Sequence, residues 1–358
     1  MSSDLASFYN GKTVVVTGHT GFKGTWLSAW LKAMGANVVG YALAPETGRP
    51  NLFDSAKVVE GMASVIADLR DPAAVDQTIQ AAEPDLVFHL AAQALVRRSY
   101  EEPLVTYQTN IMGTAHVLEA LRTSPNTKAA VIVTSDKCYE NREWPFGYRE
   151  TDPMGGYDPY SSSKGCAELV TSAYRRSYFS ENGAASIGSA RAGNVIGGGD
   201  WAEDRLIPDI VRAVASGQPV HVRNPATTRP WQHVLEPVRG YLMLGKRLYE
   251  DGDRFAEGWN FGPAESDSVP VKEVTSRIKA YWNEAGLAVT EGQGEGPHEA
   301  HLLRLECGKA RRELGWSPAF TLDDALRTTV DWYREYLADP SSAPAMLERQ
   351  IAEYAARF

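Results

Sequence analysis

The chain has 358 residues, 43% of them apolar and 23% charged, which is typical of a globular protein long enough for one large core or two. A net charge of −9, without long runs of Lys or Arg, argues against nucleic acid or an anionic membrane as a partner. No apolar stretch reaches the roughly 18 residues that span a bilayer, and the first residues lack a signal-peptide pattern. Three cysteines without CxxC spacing predict a cytoplasmic protein with neither a disulfide framework nor a bound metal.

Strand-like and helix-like patterns alternate from the N-terminus: KTVVVTG, TWLSAWLKAM, ANVVGYAL, SVIADL, PAAVDQTIQAA, PDLVFHLAA, and then the strand AVIV at 130–133. This alternation predicts an α/β protein with a Rossmann-type doubly wound parallel sheet. After residue 195 the chain becomes rich in Gly, Pro and polar residues, which indicates a smaller C-terminal α/β region. We assign residues 1–194 and 230–262 to the sheet domain, and residues 195–229 and 263–358 to the smaller region.

A glycine-rich turn joins the first strand to the first long helix. The segment TVVVTGHTGFKG places Gly18, Gly21 and Gly24 where the backbone can approach a pyrophosphate at a helix N-terminus. The spacing is TGxxGxxG instead of GxGxxG, and a tight turn without any ligand is the alternative.

Polar side chains end the AVIV strand and begin a later helix. Ser135, Asp136 and Lys137 follow the strand directly, where burying an acid or an amine costs free energy unless the group is paired or used. Tyr160 and Lys164 are four residues apart, so both lie on one helix face, where an ammonium lowers the pKa of a phenol. YxxxK alone is a weak signal, and a surface pair is the alternative.

TGxxGxxG, HLAAQ at 89–93 and Tyr160-Ser-Ser-Ser-Lys164 together resemble the extended short-chain dehydrogenase/reductase family. The resemblance implies that the sheet domain binds NAD and that the smaller region binds a nucleotide sugar. The cofactor contacts that it implies are Gly18, Gly21, Phe22 and Gly24 at the phosphates, Asp68 and Leu69 at the adenine, and Ala91, Ala92, Tyr160 and Lys164 at the nicotinamide ribose. One departure is the second strand, where Tyr41 and Ala42 replace the acidic residue expected at the adenosine ribose.

The resemblance also implies catalytic roles. Tyr160 would take the proton of a sugar hydroxyl, with Lys164 and Ser135 assisting. In the nucleotide-sugar 4,6-dehydratases of this family an acid-base pair follows the Ser/Thr, which makes Asp136 the acid for the 6-hydroxyl. The common second residue is Glu, and here it is Lys137. Three roles stay open for Lys137: the base at C5, the activation of a water, or the stabilisation of an enolate.

Three further stretches, TSDKCYEN, RAGNVIGGGDW and RPWQHVLEP, resemble the branch that acts on CDP-glucose. The resemblance places Asn194 and Arg229 at the substrate diphosphate, with Asn260 and His298 nearby. It also implies a homodimer or homotetramer paired through helices around 104–122 and 160–180. The rival functions are a nucleotide-sugar 4-epimerase, which has no need of Asp136, and a non-catalytic dinucleotide-binding regulator, in which a damaged Ser-Tyr-Lys set is expected.

Overall fold

The computed structural model describes residues 3–180, 184–282, 289–292, 300 and 302–358, and its centre is a sheet of seven parallel strands. The strands within these residues are β1 (Thr13–Thr17), β2 (Asn37–Ala42), β3 (Ala63–Ile66), β4 (Leu86–His89), β5 (Ala129–Val133), β6 (Ser186–Arg191), β7 (Val195–Ile196), β8 (Val220–Val222), β9 (Thr228–Pro230), β10 (Gln232–His233), β11 (Gly258–Asn260), β12 (Ser268–Pro270) and β13 (Val289–Glu291). Across the central sheet they lie in the order β11–β6–β5–β4–β1–β2–β3. The predicted doubly wound sheet is therefore confirmed.

Helices cover both faces of this sheet. They are α1 (Ser3–Tyr9), α2 (Phe22–Ala33), α3 (Leu52–Ser55), α4 (Pro72–Ala82), α5 (Val96–Glu101), α6 (Pro103–Tyr107), α7 (Gly113–Arg122), α8 (Pro159–Tyr178), α9 (Leu206–Ser216), α10 (Leu235–Phe255), α11 (Val271–Trp282), α12 (Leu322–Ala338) and α13 (Ala343–Ala355). π-Helical turns precede α7 (Gln108–Met112) and α12 (Ala310–Leu314), and one-turn 3₁₀ helices occur at Asp136–Cys138, Glu265–Asp267 and Pro340–Ser342.

Two apolar layers follow from this arrangement. One layer packs α4, α7 and α8 against one side of the sheet, through residues such as Ile79, Val117 and Phe179. The other packs α2, α10 and α13 against the opposite side, through residues such as Trp26 and Leu242. The central strands are buried on both faces, which explains why β4 and β5 are continuous apolar runs instead of alternating patterns.

The predicted smaller region contributes α9, α11 and α12, and three two-stranded sheets pair β10 with β7, β12 with β9, and β13 with β8. The last helix, α13, leaves this region and packs on α2, where the rings of Trp30 and Tyr354 meet edge to face at 5.7 Å. Glu236 at the start of α10 fixes this return, because its carboxylate accepts hydrogen bonds from Tyr354 Oη and the backbone N–H groups of Ala319 and Phe320. The domain boundaries stay a prediction.

Within the described ranges, no helix combines the length and apolarity that a membrane crossing requires. The same part of the chain brings together no group of three or more His, Cys, Asp or Glu side chains suited to a metal ion.

Candidate active site

The glycine loop lies between β1 and α2, at the carboxyl edge of the sheet. Gly18 has a left-handed backbone with φ of 77°, and a β-carbon there would lie 2.7 Å from the backbone nitrogen of Ala91. A β-carbon on Gly24 would lie 2.0 Å from the carbonyl oxygen of Gly18. These two glycines are therefore needed for the turn itself, whereas Gly21 is exposed at its open side.

The start of α2 and the ends of β2 and β3 fit a dinucleotide. α2 begins at Phe22, and Gly21 before it supplies no side-chain cap, so backbone N–H groups at the positive end of the helix are left for an anion. At the ends of β2 and β3, Leu43 and Ile66 are 60% and 53% exposed, and their apolar surfaces can cover a flat ring such as adenine.

The other sequence-predicted cofactor residues border this loop. Ala91 and Ala92 follow β4 and are half-buried, and the N–H of Ala91 donates to Oγ1 of Thr17 at 3.1 Å. Asp68 follows β3, where a hydrogen-bonded pair with Arg70 lowers the pKa of the Asp68 carboxyl. The side chain of Leu69 is buried, so only its neighbour Asp68 presents a side chain to solvent.

β5 carries Ser135, Asp136 and Lys137 to the same edge of the sheet. The hydroxyl of Ser135 donates to Oδ1 of Asp136 at 2.9 Å, and Ser135 Oγ accepts the backbone N–H of Lys137 at 3.3 Å. Ser135 and Asp136 are buried, while Lys137 is half-buried. The structure thus pairs a hydroxyl with a carboxyl at the strand end and leaves the amine closer to solvent.

α8 brings Tyr160 and Lys164 to these residues. Asp158 caps the helix by accepting the N–H of Ser161 at 2.9 Å, and Tyr160 and Lys164 are both buried one turn apart. The amine of Lys164 donates to the carbonyl oxygen of Val133 at 3.5 Å, which joins α8 to the end of β5. Burial lowers the pKa of Lys164 to about 8.

The phenol of Tyr160 is neutral at pH 7 in this arrangement. Burial raises the pKa of Tyr160 to about 12, while a hydrogen bond with Ser135 and the charge of Arg205 lower it. The sequence predicts that the ammonium of Lys164 lowers this pKa toward the range of a general base. Desolvation outweighs that effect because the phenol is buried and the amine is directed to a backbone carbonyl.

A buried ion pair beneath the site was missed by the sequence reasoning. Glu168, one turn after Lys164, receives Nε and Nη2 of Arg191 at 2.9 and 2.8 Å, and both side chains are buried. Arg191 also donates to the hydroxyl of Tyr139 at 2.6 Å. The pair locks α8 to the end of β6. The only signal in the sequence was the spacing of Tyr160, Lys164 and Glu168 on one helical face.

Two cations beside the catalytic residues were also missed. The pKa of Lys23, in the first turn of α2, is lowered to about 8 by burial and by the charges of Arg205 and Lys164. Arg205 pairs with Asp200 at 2.8 Å. Their positive charge makes this end of the site suited to an anionic ligand.

The residues predicted to bind the substrate lie at different depths in the protein. Asn194 is half-buried with φ of 47°, and its carbonyl accepts the N–H of Gln232 at 3.3 Å, beside the strand that carries Arg229. Asn260 is wholly buried, and its amide bonds to Tyr139 and to backbone carbonyls, so it lies in the framework under the site. His298 lies outside the described residues.

The family model described as GDP-mannose 4,6 dehydratase matches residues 15–329, and the chain therefore belongs to this family. A more particular likeness is to the CDP-glucose 4,6-dehydratase of Salmonella typhimurium, which is 50% identical over 352 residues and 97% of each chain.

Solved structures repeat the same fold. The UDP-glucose 4-epimerase of Thermus thermophilus in complex with NAD has 26% identity and a TM-score of 0.75, over 90% of this chain and 99% of that one. The dTDP-glucose 4,6-dehydratase of Streptomyces venezuelae, at 24% identity and a TM-score of 0.77, covers 92% of this chain and 99% of its own, and supports the fold alone.

Proposed function

We propose that this protein is a hydro-lyase that converts CDP-glucose to CDP-4-keto-6-deoxyglucose and water, with NAD as its cofactor. The observation that carries the proposal is the buried Ser135–Asp136 pair beside Tyr160, in a chain that is 50% identical to a CDP-glucose 4,6-dehydratase. A simple oxidoreductase needs the serine, the tyrosine and the lysine, but it has no use for a buried carboxylic acid next to them.

The glycine loop holds the dinucleotide. The N–H groups at the start of α2 bind its phosphates, with Gly18, Gly21, Phe22 and Gly24 forming the turn around them. Asp68 and Leu69 border the adenine, and Ala91 and Ala92 the nicotinamide ribose. NAD takes up a hydride from C4 of the sugar and returns it to C6, so the cofactor ends each turnover unchanged. The residues of the chain move the protons.

Tyr160 performs the first proton transfer. It accepts the proton of the 4-hydroxyl as its phenolate, and because burial raises its pKa to about 12, this role is favoured by positive charge beside the ring. The charge of Arg205 already acts in this direction, and the ammonium of Lys164 and the oxidised nicotinamide ring of bound NAD would add to it. Ser135 hydrogen-bonds to the same sugar hydroxyl.

Asp136 and Lys137 perform the elimination. A ketone at C4 acidifies the hydrogen at C5, which Lys137 removes as a proton. Asp136 gives its proton to the 6-hydroxyl, and the C6–O bond breaks to release water and leave a double bond between C5 and C6. Hydride return to C6 and a proton at C5 complete the product.

Positively charged and polar residues at the outer end of the site bind the nucleotide diphosphate. Arg229 and Asn194 lie on neighbouring segments that β7 and β10 hold together, and we assign them to the diphosphate. Asn260 is bonded to Tyr139 and to backbone carbonyls of the framework, and His298 is assigned to the diphosphate region from the sequence alone.

A 4-epimerase is the second candidate, because an epimerase is among the structural relatives and shares the fold. The buried Asp136 disfavours it, since epimerisation involves no leaving group that needs an acid.

A panel of sugar nucleotides tests the proposal. The purified protein, with NAD added, is incubated separately with CDP-, dTDP-, GDP- and UDP-linked glucose, and each mixture is analysed by mass spectrometry. Loss of one water from CDP-glucose supports the proposal and its base preference. Loss of water from another nucleotide only would reject cytidine, and no loss from any would reject the dehydratase.

We also propose that the enzyme forms at least a homodimer through α6, α7 and α8. Leu104 on α6, Met112 in the π-helical turn before α7 and Leu169 on α8 are 73%, 51% and 59% exposed, which is unusual for large apolar side chains on neighbouring helices. Leu169→Glu should shift the sedimentation of the protein to that of a monomer, while Leu337→Glu on α12 should leave it unchanged. An unchanged Leu169→Glu assembly would reject this interface.

The cysteines favour a cytoplasmic location. Cys138, Cys166 and Cys307 are all free thiols, as expected in a reducing compartment.

A further inference from the structure

Asp136 and two neighbouring residues each have one buried polar atom without a hydrogen-bond partner among the described residues. These atoms are Oδ2 of Asp136, Oε1 of Gln232 and the hydroxyl of Tyr241. All three side chains are at least 97% buried. An unpaired buried polar group costs about 1–3 kcal/mol, so three such atoms in one place require an explanation.

Two of these residues, Asp136 and Gln232, meet at Gly193. Asp136 Oδ2 faces Gly193, because a β-carbon on that glycine would lie 1.9 Å from it. The amide nitrogen of Gln232 donates to the carbonyl oxygens of Gly193 and Phe261, at 3.3 and 2.9 Å. Gln232 thus lies against the same glycine as Asp136.

Tyr241 approaches this point from α10. Its ring meets the ring of Phe261 edge to face at 5.9 Å. Burial raises the pKa of Tyr241, and the nearby charges of Tyr160 and Asp136 raise it further. Tyr241 therefore lies close enough to Tyr160 and Asp136 to be affected by their charges, although α10 belongs to the framework of the sheet.

We propose that Tyr241 is a positioning residue for the elimination step, and that one bound water joins its hydroxyl to Oδ2 of Asp136. This inference rests on the proposed dehydratase function. A tyrosine hydroxyl donates to a carboxylate and accepts from a carboxylic acid. Tyr241 can therefore hold Asp136 in both of its protonation states, while Oδ1 stays with Ser135. Oε1 of Gln232, which also has no partner, can accept a hydrogen bond beside them.

The oxidation at C4 does not use Asp136, so the two halves of the reaction should respond differently to Tyr241→Phe. Reduced nicotinamide should form at close to the rate of the unaltered enzyme and then accumulate. Loss of water should slow by about tenfold, the effect of one hydrogen bond to a charged group.

An alternative substrate separates positioning of the acid from general damage. In CDP-6-deoxy-6-fluoroglucose the leaving group departs as fluoride, which needs far less help from an acid than hydroxide does. The deficit of Tyr241→Phe should therefore nearly vanish with this substrate. Tyr9→Phe is the matched control, because Tyr9 is also wholly buried and donates to the carbonyl of Leu242 on the same helix.

A double-mutant cycle tests the contact without any turnover. Tyr241→Phe, Asp136→Asn and the double variant are unfolded in urea, and the shifts in midpoint are compared. Non-additive shifts support the hydrogen bond even if the natural substrate differs from CDP-glucose. Additive shifts would overturn the inference, and so would equal slowing of Tyr241→Phe with the hydroxyl and fluoro substrates, or no slowing with either.

Discussion

Gly193 and Asp136 fit together with no room for a methyl group, since a β-carbon on Gly193 would lie 1.9 Å from Oδ2 of Asp136. The glycine comes from the turn after β6, and the acid comes from the turn after β5. The position of Asp136, the proposed catalytic acid, therefore depends on the backbone of a neighbouring strand end.

Gly193→Ala should displace Asp136 and slow the loss of water by about 10²–10⁴-fold, the range for loss of general acid catalysis. The main fold should be retained, which circular dichroism would check. Gly217→Ala, at a site where a β-carbon meets nothing within 4 Å, controls for the substitution itself, although its left-handed backbone adds some strain. A fully active Gly193→Ala enzyme would show that Asp136 is not positioned in this way.

Exchange of the sugar hydrogen at C5 with solvent deuterium should distinguish the role of Lys137 from that of Asp136. In Lys137→Met the sugar should be oxidised at C4 but should take up no deuterium at C5 from D₂O, because the base is missing. In Asp136→Asn the base remains, and deuterium should enter C5 without loss of water. Mass spectrometry of the recovered sugar nucleotide measures both. Exchange at C5 in Lys137→Met would assign the base to another group.

The ion pair of Glu168 with Arg191 should be necessary for stability. Glu168→Gln leaves the buried guanidinium without its counter-charge, which should reduce the free energy of unfolding by about 3–5 kcal/mol. Urea denaturation measures the loss, with Glu119→Gln in an exposed pair as a control of much smaller effect. A Glu168→Gln protein as stable as the unaltered one would contradict the role of this pair.

The pH dependence of the same pair has a definite sign. Burial acts to raise the pKa of Glu168, but its bonds to Arg191 lower it below the ordinary value. Its contribution is therefore complete above the ordinary carboxylate pKa and is lost as the pH falls through the lower folded value.

Lys23 should destabilise the protein when no cofactor is bound. Its folded pKa of about 8 lies below the ordinary 10.5, so the folded state loses this proton first as the pH rises. The penalty is largest below pH 8 and disappears towards pH 10.5. Lys23→Met should therefore raise the melting temperature at pH 7, and raise it less at pH 9.5. An equal gain at both pH values would show that the charge of Lys23 is not the cause.

Most of the features that could be predicted from the sequence lie within short segments of the chain. The glycine turn, the Ser135–Asp136–Lys137 strand end and the Tyr160–Lys164 spacing each lie within one short segment, and their polar residues interrupt apolar patterns. The alternation of strands and helices predicted the central sheet for the same reason. The sheet then brings the ends of its parallel strands to one edge, as expected.

Contacts between segments that are distant in the sequence could not be predicted from local patterns. Arg191 reaches Glu168 across 23 residues, and Gly193 faces Asp136 from another strand. Tyr241 looks like an ordinary core residue on the apolar face of an amphipathic helix, and nothing in the neighbouring sequence indicates where its hydroxyl points. Asn260 was predicted from its position in the family pattern, and its saturated buried amide could only be found from the packing of β11.

The central claim is that Asp136 serves the elimination and not the oxidation. Rapid mixing of the Asp136→Asn enzyme and NAD with CDP-glucose tests it, with absorbance following reduced nicotinamide and mass spectrometry following water. The account predicts that reduced nicotinamide forms at nearly the normal rate and persists, while water is lost about 10²–10⁴-fold more slowly. Water loss at the normal rate, or no reduced nicotinamide in a folded enzyme, would contradict it.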